Sequence, residues 1–339
     1  MMKDCVKLLT AAALAAGLLI SFSCSKDKDS TSYNYLDGSI TFTVPSFVAA
    51  GDVLDVTPKG ISHPDGDPFG YYWTVSDLKE KRDTTKYLTD PEGTSGRFTF
   101  TVPDTLGSFS ITVTAFAPDY YPTSGSRSFI IVKPSESLSG TGIELDDFAI
   151  TDGRDGQKYA FMQAGGLRWM RQNLVWNGAG TSFDFCPAAD PVFGRFYSWT
   201  EAQTACPEGW RLPTDAEWAA LVEAASGQTG LVAGETFPSG AGDLISGSAT
   251  FNTWQLWEFW PEVTATDAVG FCALPFGYGN LANTGRGSFT GLYTYAAFWL
   301  ADEAEGMGRY RYLNVRRPEV FVGSADKNLF AASVRCVAE

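Results

Sequence analysis

From Tyr35 to Lys133 the chain alternates. In "SITFTV" Ile40, Phe42 and Val44 take every second position against Thr41 and Thr43, and "RFTFTV" and "SFSITVTAF" repeat the period with Phe98, Phe100, Val102, Phe109, Ile111 and Val113. An apolar residue at every second position gives an extended strand one face to bury and one to leave in water, a period that a helix cannot use. Short strands of this kind, separated by Gly, Pro and Asp turns, indicate an all-β sandwich of about a hundred residues. "KPSESLSGTG", 133–142, is small and polar and reads as a linker. Beyond it nine of the ten tryptophans lie between Trp169 and Trp299, glycine-rich loops replace the alternation, and one or two short helices are expected, which points to an α+β domain. At 339 residues the chain is long enough for two cores.

Trp73 in "YYWTV" stands where a sandwich buries a central aromatic, and the module resembles an immunoglobulin-like domain of the polycystic-kidney-disease type. The turn "SHPDGDP" holds the only histidine, His63, but lacks the Asp-x-Asp-x-Asp-Gly spacing of a calcium loop and reads as a polar turn. This domain is expected to act as a spacer.

Residues 1–24 carry Lys3 and Lys7 ahead of an apolar run from Leu8 to Ile20, the layout of a secretory signal peptide rather than of a spanning helix. Cys24 after Ser23 resembles a bacterial lipoprotein cleavage site, with Ser21 where a leucine is usual; simple secretion is the alternative. "SKDKDS" resembles the charged tether that directs Bacteroidetes lipoproteins to the outer face of the outer membrane. The expected parts are a lipoprotein signal peptide at 1–24, a tether at 25–34, the sandwich at 35–133, a linker at 134–144 and the α+β domain at 145–339. Membrane contact is expected through acyl chains on Cys24 alone. Four cysteines then remain, Cys186, Cys206, Cys272 and Cys336, and an even number in an oxidising compartment favours disulfides. The net charge of −14 argues against nucleic-acid partners, which require a basic face.

In the C-terminal half, Thr214 followed three residues later by Glu217 predicts a capping box. Trp218, Leu221, Val222 and Ala225 then recur at helical spacing, and Gly227 suits the stop. Five segments in order, "DGRDGQKYAFMQAGGLRWMRQNL", "GRFYSWTEAQTACPEGWRLPTDAEW", "GFCALPFGYGN", "AAFWLADEAEG" and "ASVRCVAE", resemble the Fibrobacter succinogenes major paralogous domain of bacterial surface lipoproteins. "RLPTDAEW" also resembles the formylglycine-generating enzymes. The resemblance implies a C-type-lectin-like fold for 145–339 and a disulfide between Cys206 and Cys336; Cys186 and Cys272 would pair by elimination.

A histidine-based nucleophile or zinc site is excluded by the position of His63 in the other domain, and no close Cys-x-x-Cys pairs suggest zinc. The oxidative chemistry of formylglycine-generating enzymes would need Cys272 and Cys336, of which the family disulfide claims Cys336. Asp267, Asp302, Glu303 and Glu305 offer carboxylates for glycosidic acid-base work, without a spacing that singles out two. Asp302, Glu303 and Glu305 in "LADEAEG" are the candidate calcium ligands; no other cofactor is expected. Trp254, Trp257 and Trp260, three residues apart, would line one side of a helical turn and form a stacking platform, with core packing as the alternative. Tyr278, Tyr293, Tyr295 and Trp299, in or beside glycine-rich loops, complete the ligand-binding candidates. The expected function is non-catalytic recognition of an extracellular glycan or surface protein, with a structural part in a fimbria-like assembly and a carbohydrate-active enzyme as alternatives.

Overall fold

The computed structural model describes residues 34–78, 84–88, 95–257, 263–281 and 287–339; the proposed leader, Cys24 and the tether up to residue 33 lie outside them. The alternating half forms a sandwich. Its larger sheet runs, edge to edge, Phe47–Ala49, Thr123–Val132, Gly107–Phe116, Gly70–Asp77 and Thr84–Leu88, with the first pair parallel and the rest antiparallel. The antiparallel pairs Asp37–Thr41 with Lys59–Ser62 and Val53–Val56 with Phe98–Thr101 lie opposite. Inward residues of both layers, including Ile40, Leu54, Phe98, Ile111 and Val113, meet around the fully buried Trp73, as in immunoglobulin-like sandwiches. Trp73 donates its indole N–H to the Gly96 carbonyl at 2.9 Å, so the central ring is buried without an orphaned donor. His63 sits in a surface turn, its ring 4.5 Å from that of Tyr120.

The second half is built on two sheets. Strands Phe148–Thr151, Lys158–Ala164, Leu167–Met170 and Val337–Ala338 form the smaller one, which brings the last strand beside the first ones. The larger runs Ser288–Leu292, Phe276–Asn280, Tyr295–Ala304, Met307–Asn314 and Phe321–Ala325, with Phe330–Ala331 added to Phe276–Asn280. The helix Asp215–Ser226 packs between them. Its capping box is complete: Thr214 Oγ1 accepts from the Glu217 amide at 3.3 Å and Glu217 Oε2 from the Thr214 amide at 2.7 Å, while Gly227 closes the helix at φ 73°. Trp218, Leu221 and Val222 then enter a core with Trp169, Phe271, Phe298 and Leu313.

One ion pair ties this helix to the larger sheet. Asp215, the first helical residue, is 1% exposed and accepts from Arg311 Nε at 2.6 Å and from the Gly234 amide at 2.6 Å. Arg311 lies over the Phe237 ring at 3.7 Å. Burial pulls the guanidinium down from its usual range and Asp215 counters that shift, so the arginine is tolerable in the core only with this partner.

The stretch read as a linker is structured. Leu138–Ser139 pairs with Thr250–Phe251, and Ser139 Oγ and Thr250 Oγ1 lie 2.7 Å apart. Phe47, on the edge of the sandwich, inserts among Phe183, Phe193 and Phe251, with ring centroids 5.9, 5.3 and 6.3 Å away. Asn252 adds a bond from its side-chain amide to the Ile131 carbonyl at 2.8 Å. Small polar residues of that stretch serve here as strand-edge hydrogen-bonding groups.

Cys206 and Cys336 form a disulfide across 130 residues. The expected pairing of Cys186 with Cys272 is corrected: both are buried free thiols. They share an apolar cluster but face different groups, Cys186 the backbone of Ser46, Phe47 and Asp184, and Cys272 Ser246 and Arg335. Burial raises both thiols, Cys272 to about 11. In the chain without its first 24 residues, iodoacetamide at pH 8 is therefore expected to label neither thiol natively and both after unfolding without reductant, as read by intact mass; native labelling would contradict their burial. Asp215→Ala leaves Arg311 buried and unpaired and should cost about 3–5 kcal/mol in denaturant unfolding.

Candidate functional site

The larger sheet has two unlike faces. Ala296, Phe298 and Leu300 on one strand, with Arg311 and Leu313 on the next, point to the helix. Their alternate neighbours point the other way, and Tyr295, Trp299, Tyr310 and Tyr312 among them carry rings. Tyr278, Tyr295, Tyr312 and Phe321 contribute one ring from each of four adjacent strands, with successive centroids 6.0, 6.3 and 4.9 Å apart. Three strand spacings make this row about 14 Å long. Phe330 and Tyr310 form a second row beside it, stacked at 4.7 Å, and Phe330 also stacks on Tyr278 at 5.3 Å. All six rings are partly exposed.

Trp299 lies beneath this face. It is fully buried, edge-on to Tyr310 and Phe330, and donates its indole N–H to the Tyr197 carbonyl at 2.6 Å. It supports the surface rings and cannot touch a ligand. At one end Trp199 lies over Gly308, where an added Cβ would come within 2.4 Å of the indole, and Lys327 sits 4.4 Å above the same ring while pairing with Glu303. Opposite Tyr310 stands Gly323, whose Cβ would fall 2.4 Å from the phenol ring. Small residues thus leave room for the rings to lie on the sheet.

Tyrosine suits such a face because the ring stacks and the hydroxyl exchanges hydrogen bonds. The hydroxyls of Tyr278, Tyr295, Tyr310 and Tyr312 bond to no side chain or carbonyl among the described residues. Burial raises Tyr310 and Tyr312, and a phenol, already protonated at neutral pH, remains able to donate.

The other candidates separate. The stacking helix of tryptophans is corrected: Asn252 and Thr253, at φ 48° and 70°, form a two-residue turn between Thr250–Phe251 and Trp254–Gln255, so the segment is a hairpin. Trp254 is 65% exposed, Trp257 is buried with its indole N–H on the Ala273 carbonyl at 2.9 Å, and Trp260 lies outside the described residues. Tyr293 is half-buried against another core cluster, and burial raises its hydroxyl.

The calcium candidates Asp302, Glu303 and Glu305 engage different groups. Asp302 accepts from the Asp215 amide at 2.7 Å, Glu303 pairs with Lys327, and Glu305 occupies the exposed hairpin tip at φ 53°. No group of three or more metal-ligating side chains occurs among the described residues. Asp267 is held by the Cys272 amide at 2.8 Å, and burial raises its carboxyl.

Sequence reasoning missed Tyr310, Tyr312, Phe321 and Phe330. The available signal was the alternation in "YRYLN", where Tyr310 and Tyr312 flank the buried Arg311.

The profile described as the Fibrobacter succinogenes major domain matches residues 162–338, which include the helix, the disulfide and the whole aromatic face. The chain belongs to this family. A search of curated proteins finds no match. Among solved structures, the CARDB domain of a Pyrococcus furiosus protein, crystallised in complex with di-metal ions, is 14% identical and covers 32% of this chain and 100% of its own, at a TM-score of 0.21. That overlay is too poor to bear on fold or ligand. In this Fibrobacter succinogenes major domain, Gly323→Ala is expected to displace Tyr310 and destabilise the protein by about 1–3 kcal/mol, read by thermal unfolding and the near-ultraviolet tyrosine signal.

Proposed function

We propose that this protein is a surface lipoprotein, anchored through Cys24, whose C-terminal domain has a C-type-lectin-like arrangement and recognises an extracellular glycan. The single observation that carries the reading is the row Tyr278, Tyr295, Tyr312 and Phe321, four partly exposed rings on one sheet face, the three tyrosines with unspent hydroxyls. Sugar rings present CH groups on their faces and hydroxyls at their edges, and a tyrosine row answers both. The sandwich, docked through Phe47, serves as a spacer between tether and binding face. The lectin-like reading is supported by the disulfide to the last strand and by the pairing of Val337–Ala338 with Leu167–Met170, which closes the domain on itself.

The test is a glycan array probed with the chain lacking its first 24 residues, followed by incubation of any bound glycan and a search for cleavage products. Binding without cleavage is expected, unchanged by chelation of calcium. Tyr312→Ala should weaken it about tenfold, the effect of losing roughly 1.4 kcal/mol of stacking. Binding that survives both Tyr278→Ala and Tyr312→Ala would refute this face as the site, and cleavage would favour the glycosidase alternative.

A further inference from the structure

A cavity of about 420 Å³ lies on another side of the C-terminal domain, where the 134–143 segment meets the strand Lys158–Ala164. It shares no lining residue with the aromatic face. Leu138, Ile143, Leu274 and Phe276 give it apolar walls, and its ionisable lining includes Lys158, Arg171 and Arg335 but no carboxylate. For a chain of net charge −14 this is a local reversal.

Arg335 is the unusual member. It is 1% exposed, and all its hydrogen-bond partners are neutral: Asn173 Oδ1 at 2.7 Å and the carbonyls of Met170, Phe271 and Cys272 at 3.1, 2.7 and 2.8 Å. Arg311, equally buried, has Asp215 at 2.6 Å. The Asp267 carboxylate acts on Arg335 and Arg171 at a distance without bonding to either, so a buried cation bonded only to dipoles keeps a field that a closer counter-ion in the cavity would stabilise. Arg171 is partly neutralised by Asp147 at 3.1 Å, and Lys158 is exposed with no ion-pair partner among the described residues. Desolvation lowers Arg335 to about 10, which still leaves it charged at neutral pH.

We infer that this cavity is a binding site for a small organic carboxylate, its charge held by Lys158, Arg171 and the field of Arg335 and its body against Leu138, Ile143, Leu274 and Phe276. The volume suits a single ring with one acid group.

The test is calorimetric titration of the chain lacking its first 24 residues with benzoate and with glucuronate, each beside its neutral counterpart, benzamide and glucose, and with inorganic phosphate. Saturable binding of benzoate, of glucuronate or of both, with the neutral counterpart at least about tenfold weaker, is expected. Benzoate alone would identify apolar acids and glucuronate alone acidic sugars. Lys158→Ala should weaken binding about fivefold with unchanged thermal stability, and Leu138→Trp, which fills the cavity, should abolish it. Arg335 stays in place because its removal would strip four buried acceptors. Tyr312→Ala should leave this binding intact, which separates it from the glycan site. Equal binding of the neutral counterparts, binding of phosphate alone, or no carboxylate binding would overturn the inference.

Discussion

The C-terminal domain depends on the buried pair between Asp215 and Arg311. The helix Asp215–Ser226 offers an unsatisfied first turn, and the sheet offers a guanidinium in its interior; each would be costly alone. Asp215 satisfies Arg311 and the Gly234 amide, and its own amide is taken by Asp302. Helix, Gly234 loop and two strands are therefore fixed at one point, and the apolar contacts of Trp218 and Leu221 follow from that register. Because Arg311 must point to the helix, its neighbours Tyr310 and Tyr312 must point away. The aromatic face is thus the geometric counterpart of the ion pair.

The two domains are joined by a different kind of contact. Phe47 fills a pocket of rings, and Asn252 bonds across to Ile131. Together with the strand Leu138–Ser139 these contacts leave little free chain between the sandwich and the C-terminal domain. Docked in this way, the sandwich holds the C-terminal domain in a fixed orientation, which under the proposed recognition role would reduce the freedom lost on binding.

Much of the fold was legible because local patterns carry it. Two-residue alternation marked the strands of the sandwich, and the box of Thr214 and Glu217 with Gly227 marked the helix to its ends. The disulfide from Cys206 to Cys336 entered through the family resemblance, since cysteine spacing leaves three pairings open. The tryptophan run misled because a spacing of three is equally compatible with a hairpin once Asn252 and Thr253 adopt positive φ. Asp302 and Glu303, adjacent in sequence, take different partners, the Asp215 amide and Lys327, which adjacency alone could not show.

Of the candidate ligand residues, Tyr278 and Tyr295 meet on one face, Trp299 lies under it, and Trp254, Trp257 and Tyr293 lie elsewhere. The sequence by itself determined the main strands of the sandwich and the helix Asp215–Ser226, because backbone period and capping act within a few residues. Only the tertiary structure decided that Tyr278, Tyr295, Tyr312 and Phe321 form one row and that Lys158, Arg171 and Arg335 line a cavity whose wall includes no carboxylate. Those facts depend on the order in which distant strands are laid side by side, and strand order is set by long-range packing that no local stretch encodes.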